Sequence, residues 1–490
     1  SASESPMTVV ESEGSEHTRK ISVYAESLNA PDYDDLFKAV QWFRKLLSKE
    51  HNPPIDDVIK AGVLDRFVQI LAGQNLPISA ASGPEIAQKQ LEQVQFEAAW
   101  VLTNIASGTS DHTRIVVNSG AFHLFTQLLQ HPNPELRGQC IWAIGNIAGE
   151  GCEYRDLCLQ HDVLGPLLET VVAELHSGFA NGELTKNTTW AISNLCRGKP
   201  SPDWNQVCPA LPILAQLLFS EAEDLIGEAG WAVAYMSDGS AFAIEAILKA
   251  NIVPRCVALL SSRSSLIQAS CVRVIGNILT GDDLQTQMVI DCGALPALGR
   301  LLSSTSRSIL REACWAISNV TAGNSEQIAA VIEANLIPPV IRLLSSDYFS
   351  IKREACWVVS NATSVVDTHP EVIKYLVSQG CIKPMCEILK VKDLKIVQVA
   401  LDGLDNILQA GEVLAMDSPE HLNPYALHVE EAQGLDTIKQ LQHHVNMQVF
   451  LKAKALIDKY FAVNEDDIPV VDANFEFNEG MAVPQGGFDF

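Results

Sequence analysis

Basic charge is scarce in this chain. Its 490 residues hold 34 Lys and Arg against 59 Asp and Glu, a formal net charge of −25. A protein so charged repels nucleic acid phosphates and attracts basic partners. No apolar run reaches the ~18 residues of a membrane span, and no signal peptide opens the sequence. Neither nucleic acid nor membrane is therefore expected as a partner. The twelve cysteines contain no C-x-x-C pair. Most, such as Cys140, Cys271, Cys314 and Cys356, fall inside helical segments and read as buried thiols of a reducing compartment. The pairs Cys152/Cys158 and Cys381/Cys386 lack the second half of a zinc site, so no metal is expected. Also missing are a G-x-S-x-G elbow, a Walker loop, an H-E-x-x-H pair and carboxylates tied to a nucleophile, so no enzyme, no catalytic residue and no cofactor is expected. The N-x-Thr triplets at Asn187, Asn319 and Asn361 lie in predicted helices and read as accidental.

What is present is a ladder. Tryptophan is followed four residues later by asparagine or tyrosine at Trp100/Asn104, Trp142/Asn146, Trp190/Asn194, Trp231/Tyr235, Trp315/Asn319 and Trp357/Asn361. Four residues is just over one α-helical turn, so each pair projects from one helix face. The tryptophans are 42, 48, 41, 84 and 42 residues apart, and Arg273 with Asn277 fills the midpoint of the long gap.

A period near 42 residues is that of armadillo or HEAT units, helices that bury their apolar faces only by stacking on neighbours. Each ladder segment is preceded by two shorter amphipathic stretches, giving about three helices per unit. The fold predicted is all-α, a right-handed superhelical solenoid of about ten armadillo-type repeats over residues 31–461. The glycines closing the ladder segments read as helix stops. Residues 1–30, rich in Ser and Glu, are predicted disordered, as is the acidic stretch 462–490. The first repeat places Gln41 at the ladder position and leaves Trp42 off register. Insertions are read at 75–93 and 175–186, and a C-terminal cap at about 424–461.

An amide repeated within an apolar stripe costs about 1–3 kcal/mol each time unless it is hydrogen-bonded. The pairs are therefore expected on an open concave face. There asparagine can hold the N–H and C=O of an extended peptide whatever its sequence. Neighbouring helices ~8–10 Å apart match about three residues of extended chain. The indoles wall the stems of lysine or arginine, with cation–π attraction at the head. Glu150, Asp238 and Glu354 stand where they could accept the charge. Arg273 has two readings: a fixed cation dividing the groove into two sites, or a structural arginine paired with a nearby acid.

The segments "FEAAWVLTNIASGTS", "WAIGNIAGEG", "WAISNLCRGK", "EACWAISNVTAGN", "QVALDGLDNIL" and "LQHH" closely resemble importin-α, the nuclear import adaptor, and the likeness covers about residues 31–490. The resemblance implies ten armadillo repeats and two sites for nuclear localisation signals. The major site, within about 94–200, would use Trp100, Asn104, Trp142, Asn146, Trp190 and Asn194, with Ser107, Gly108, Thr113 and Gln139 around the deepest lysine pocket. Glu150 stands where the family has Asp, one methylene longer. The minor site, within about 231–364, would use Asp238, Arg273, Asn277, Trp315, Asn319, Glu354, Trp357 and Asn361, with Trp231 and Tyr235 leading into it.

The resemblance further implies basic cargo signals as partners, shuttling between cytoplasm and nucleus, and an export receptor at the C-terminal repeats. Family members begin with an Arg/Lys-rich importin-β-binding segment, also an internal competitor for the groove. That segment is absent from this sequence, which is therefore expected to bind cargo without self-inhibition and not itself to recruit importin-β. The alternative is an armadillo scaffold of the β-catenin type, in adhesion or signalling. Such grooves are basic and take acidic ligands, opposite to the charge balance here.

Overall fold

The computed structural model describes residues 19–49, 52–79, 83–178, 182–239, 241–416, 419 and 421–461. These are helices joined by short turns, with no strand among the described residues. They fall into two units, divided between Ala362 and Thr363.

The long third helices of the repeats carry the ladder. In the first unit they are α1 (Tyr33–Leu47), α2 (Pro84–Ala106), α3 (Pro134–Glu150), α4 (Gly182–Cys196), α5 (Glu223–Met236), α6 (Ser265–Ile278), α7 (Arg307–Thr321) and α8 (Phe349–Ala362). Each packs along the next. Two shorter helices precede most of them, as Ser110–Asn118 and Ala121–Leu128 precede α3. In α3, Leu136, Gln139, Cys140, Ile141, Ala143, Ile144 and Ile147 are buried. Beyond Pro134 and Arg137 in its first turn, what stays open is one stripe, Glu135, Gly138, Trp142, Asn146, Gly149 and Glu150. A helix buried on nearly every side shows no strong apolar periodicity, so only the identities of the open residues betray the face.

Local signals fix the helix ends. Asn133 accepts from the N–H groups of Glu135 and Leu136 and starts α3, with Pro134 in the first turn. Capping boxes at Thr109/His112, Asp282/Gln285 and Asn324/Gln327 start the first helices of their repeats. The glycines after α6 and α7, read as helix stops, do follow the helix ends, but not in left-handed backbone. A Cβ on Gly281 or Gly323 would sit 2.0 or 1.8 Å from the box glutamine of Gln285 or Gln327, so glycine there clears space for the cap.

The predicted disorder of residues 1–30 is corrected in part. Residues 19–27 are helical, because Ile21 and Leu28 find burial. Tyr24 stacks on Trp42 at 4.2 Å, which gives the off-register indole its partner. The Leu28 carbonyl accepts from Arg66 Nε at 3.0 Å. Residues 1–18 and 462–490 lie outside the described residues. The insertion read at 75–93 is in its second half the opening of α2, whose 23 residues begin at Pro84. The stretch 175–186 is partly helical on both sides, with 179–181 outside the described residues.

The second unit holds Pro370–Ser378, Ile382–Ile388, α9 (Leu394–Met416), Pro424–Glu431, Gly434–Leu441 and α10 (Met447–Tyr460). Here Asn406 keeps the ladder offset and donates to Thr363 Oγ1 at 3.0 Å. Asp402 stands where the indole would be. Lys452 of α10 pairs with Asp402, Lys459 lies 3.4 Å from Asp405, and the Tyr460 hydroxyl donates to Asp405 at 2.6 Å. The chain's own lysines thus cover this end. All twelve cysteines are free thiols; burial pushes Cys196, Cys314 and Cys356 up to about 12 and keeps them protonated.

Candidate functional site

None of the ladder indoles is sealed in the core. Trp142 is 38% exposed, and Trp100, Trp190, Trp231, Trp315 and Trp357 are half-buried. What holds them outward is the neighbouring helix. The indole of Trp190 lies on Gly145 and that of Trp315 on Gly276, so closely that a Cβ there would come within 2.2 and 2.3 Å of the ring. Only glycine permits that approach.

The amides are tied to the same seam. Asn194 Nδ2 donates to the Gly145 carbonyl at 3.0 Å, Asn319 to Gly276 at 3.1 Å and Asn361 to Ser318 at 3.0 Å. Asn104 donates to Ser48 Oγ at 3.1 Å. In each of the first three cases the acceptor precedes the previous ladder asparagine by one residue. That column, Thr103, Gly145, Ser193, Ala234, Gly276, Ser318 and Ser360, is small throughout. Sequence reasoning missed it, although its 42-residue recurrence was available.

One N–H of each of these amides is therefore engaged, leaving a second N–H and the Oδ1 acceptor. Asn277 departs from the expectation. It is 5% exposed and gives both donors away, to Ala234 O at 2.8 Å and Ser237 Oγ at 3.0 Å, so only its acceptor remains. Asn194 is equally buried. The Asn146 side chain makes no hydrogen bond among the described residues.

Around repeats two to four, Ser107, Asn146, Glu150, Trp190 and Asn194 line one cavity of about 230 Å³, with Arg197 at its edge. Trp100, Gln139 and Trp142 line another of about 310 Å³. Ser107 and Gly108 line a third with Pro53, Pro54, Asp56 and His112. The Ser110 hydroxyl donates to the Glu150 carboxylate, fixing the longer side chain against the first helix of its own repeat. Thr113 is fully buried, its hydroxyl on the Ala106 carbonyl at 2.8 Å, where it closes the end of α2. Gln139 is buried with Nε2 on Thr103 Oγ1 at 2.9 Å.

The second half is more self-paired than the sequence suggested. Of the two readings of Arg273, the structure has the paired one: Nη2 lies 2.8 Å from Glu312, and the guanidinium sits 5.4 Å from the Trp315 ring centre. Asp238 is met by Lys199 at 3.0 Å. Glu354 is 7% exposed and paired with Arg353 at 2.7 Å, so it is not an open acceptor. Trp231 and Tyr235 stack at 5.8 Å. At the other end Arg44 sits 4.6 Å from the Trp100 ring centre, 2.5 Å from Glu97, and Gln41 donates to Glu97 at 3.0 Å.

Stacked three-helix repeats, five of whose third helices present an indole and an amide, define an armadillo-repeat protein. The armadillo/β-catenin-like repeat pattern matches residues 109–149, 243–280, 282–322, 324–364 and 369–409, and an atypical armadillo repeat matches 423–475. An engineered protein of known crystal structure shares the fold at a TM-score of 0.75 and 24% identity, over 89% of this chain and 98% of its own.

The family follows from closer relatives. Importin subunit alpha-1b of Oryza sativa subsp. japonica is 43% identical over 95% of this chain and 84% of its own length. Importin subunit alpha-B of Dictyostelium discoideum is 46% identical, with the same two shares. Importin subunit alpha-2 of Arabidopsis thaliana is 45% identical over 92% and 82%. The chain belongs to the importin-α family of nuclear import adaptors.

Proposed function

We propose that this adaptor binds lysine- and arginine-rich localisation signals of cargo proteins as extended peptides laid across the ladder. The observation that carries the reading is the open indole beside an amide on successive helices, on a chain of net charge −25. The indoles take the aliphatic stems, the free amide atoms take peptide backbone, and Glu150 takes an ammonium. Repeats two to four form the stronger site. Repeats six to eight form the second, built on Trp315, Asn319, Trp357 and Asn361, and reached past Trp231 and Tyr235.

The cargo is carried from cytoplasm to nucleus, and the C-terminal repeats, where α10 covers α9, are the place for an export receptor. Titration of one-cluster and two-cluster lysine peptides, with an acidic peptide as control, tests this. Binding of the basic peptides alone is expected. Preference for the acidic peptide would favour the β-catenin type of groove.

A further inference from the structure

Four apolar side chains stand open where α9 ends. Val413 is 53% and Met416 73% exposed, Leu414 is open between them, and Leu422 follows in the connection to the next helix. That connection folds back on α9: Asn423 donates to the Leu408 carbonyl at 2.9 Å and to Glu412 at 2.7 Å, and His421 Nδ1 lies 3.3 Å from the Ala415 carbonyl. Leu422 is thereby held beside the last turns of α9, and the four side chains form one patch. At the end of a solenoid no following repeat covers such a patch.

The last helix delivers the chain to it. Contacts of α10 advance along α9 in the same sense, Lys452 pairing with Asp402 and then Lys459 and Tyr460 reaching Asp405. Burial raises the Tyr460 hydroxyl above its ordinary value, with Asp405 and then Glu412 adding to it, so the end of α10 lies beside the turn that carries Val413. Phe461 therefore leaves toward Val413 and Met416, which stand about 12 and 17 Å beyond Asp405 along α9. Val445, Met447 and Leu451 are open too. They lie at the start of α10, about 20 Å from its exit.

The sequence that follows suits the patch. After Phe461 it reads AVNEDDIPVVDANF, with Ile468, Val470, Val471 and Phe475 set among Glu465, Asp466, Asp467 and Asp472. The stretch from Phe461 to Ile468 spans up to about 23 Å when extended, enough to reach Met416. The atypical armadillo pattern also runs on through residue 475. No base occurs beyond Phe461, so what this segment offers α9 is apolar surface. The carboxylate beside the patch, Glu412, already accepts from Asn423.

We propose that residues 468–475 of this chain dock on Val413, Leu414, Met416 and Leu422 and close the end of the last repeat. The proposal is independent of peptide binding along the ladder.

The test is hydrogen exchange read by mass spectrometry on the full chain, unmodified, as V413D/M416D and as V470D/V471D. Both substituted α9 residues are exposed, so unfolding should not move. The second variant leaves α9 itself untouched. Amides of 468–475 are expected to exchange at least about ten-fold more slowly than in a free peptide of residues 462–490, and each variant to remove that protection. V470D/V471D should also speed exchange in the last turn of α9. Exchange at the free-peptide rate in the unmodified chain, or protection that survives V470D/V471D, would overturn the docking. Protection that grows with protein concentration would give the patch to a second copy and overturn it as well.

Discussion

Asn319 meets Gly276 across one repeat boundary, and its helix meets the same glycine again through Trp315. The asparagine amide donates to the glycine carbonyl at 3.1 Å, and the indole four residues before that asparagine lies where a glycine side chain would be. Stacking of the repeats and presentation of the groove are thus set by one contact pair.

Gly276→Ala should damage both. The new Cβ would fall 2.3 Å from the Trp315 ring, and overpacking of this kind costs about 1–3 kcal/mol. Denaturant unfolding should show the loss, and a peptide confined to repeats six to eight should bind more weakly. Unaltered stability would mean the ring is not held there.

Trp142→Ala removes the most open indole of the ladder. A basic peptide at repeats two to four should lose more than about 1 kcal/mol by calorimetry. Affinity at repeats six to eight should not move. An unchanged titration at the first site would count heavily against the indole as an anchor.

Lys199→Ala should strengthen binding. Lys199 lies 3.0 Å from Asp238 and also donates to its carbonyl at 3.2 Å. The ion pair is exposed and contributes little to stability, yet it withholds a carboxylate from an incoming lysine. A two-cluster peptide should bind about two- to five-fold more tightly to the variant, with unfolding unaffected. Weaker binding would show that Lys199 itself touches the ligand.

Glu228→Gln should stabilise the ligand-free protein near neutral pH. Burial raises the Glu228 carboxyl above its ordinary value, against the opposing hydrogen bond from Ser193. A raised carboxyl binds its proton more tightly folded than unfolded, so its ionisation opposes folding, increasingly as pH rises from the unfolded pKa through the folded one. The advantage of the glutamine variant should be present at pH 7 and vanish below the ordinary carboxylate range. Unfolding curves at both pH values check it, and an equal difference at each would sink the assignment.

The period, the three-helix unit and the ladder were legible because indole and amide are conspicuous against alternatives of similar length. Open indoles followed from the cost of burying unpaired amides, though the argument was incomplete: four of the amides, those of Asn194, Asn277, Asn319 and Asn361, are paired with carbonyls of the preceding repeat. That pairing could not be read from Asn alone, because its acceptor is backbone, but the small residue before each ladder asparagine marked it. Asp238 and Glu354 were singled out as acceptors from charge and position, which are visible in sequence. That Lys199 and Arg353 occupy them depends on side-chain reach, which is not. Residues 19–27 looked too polar to order, since the two residues that anchor them, Ile21 and Leu28, are few and widely spaced.

The clasp between these paired amides and the preceding repeat has a thermodynamic corollary. The walls are rigid before anything arrives, so the entropy lost on complex formation falls almost wholly on the incoming strand. Ranking of ligands should then follow their own stiffness and charge, with little contribution from deformation of the receptor.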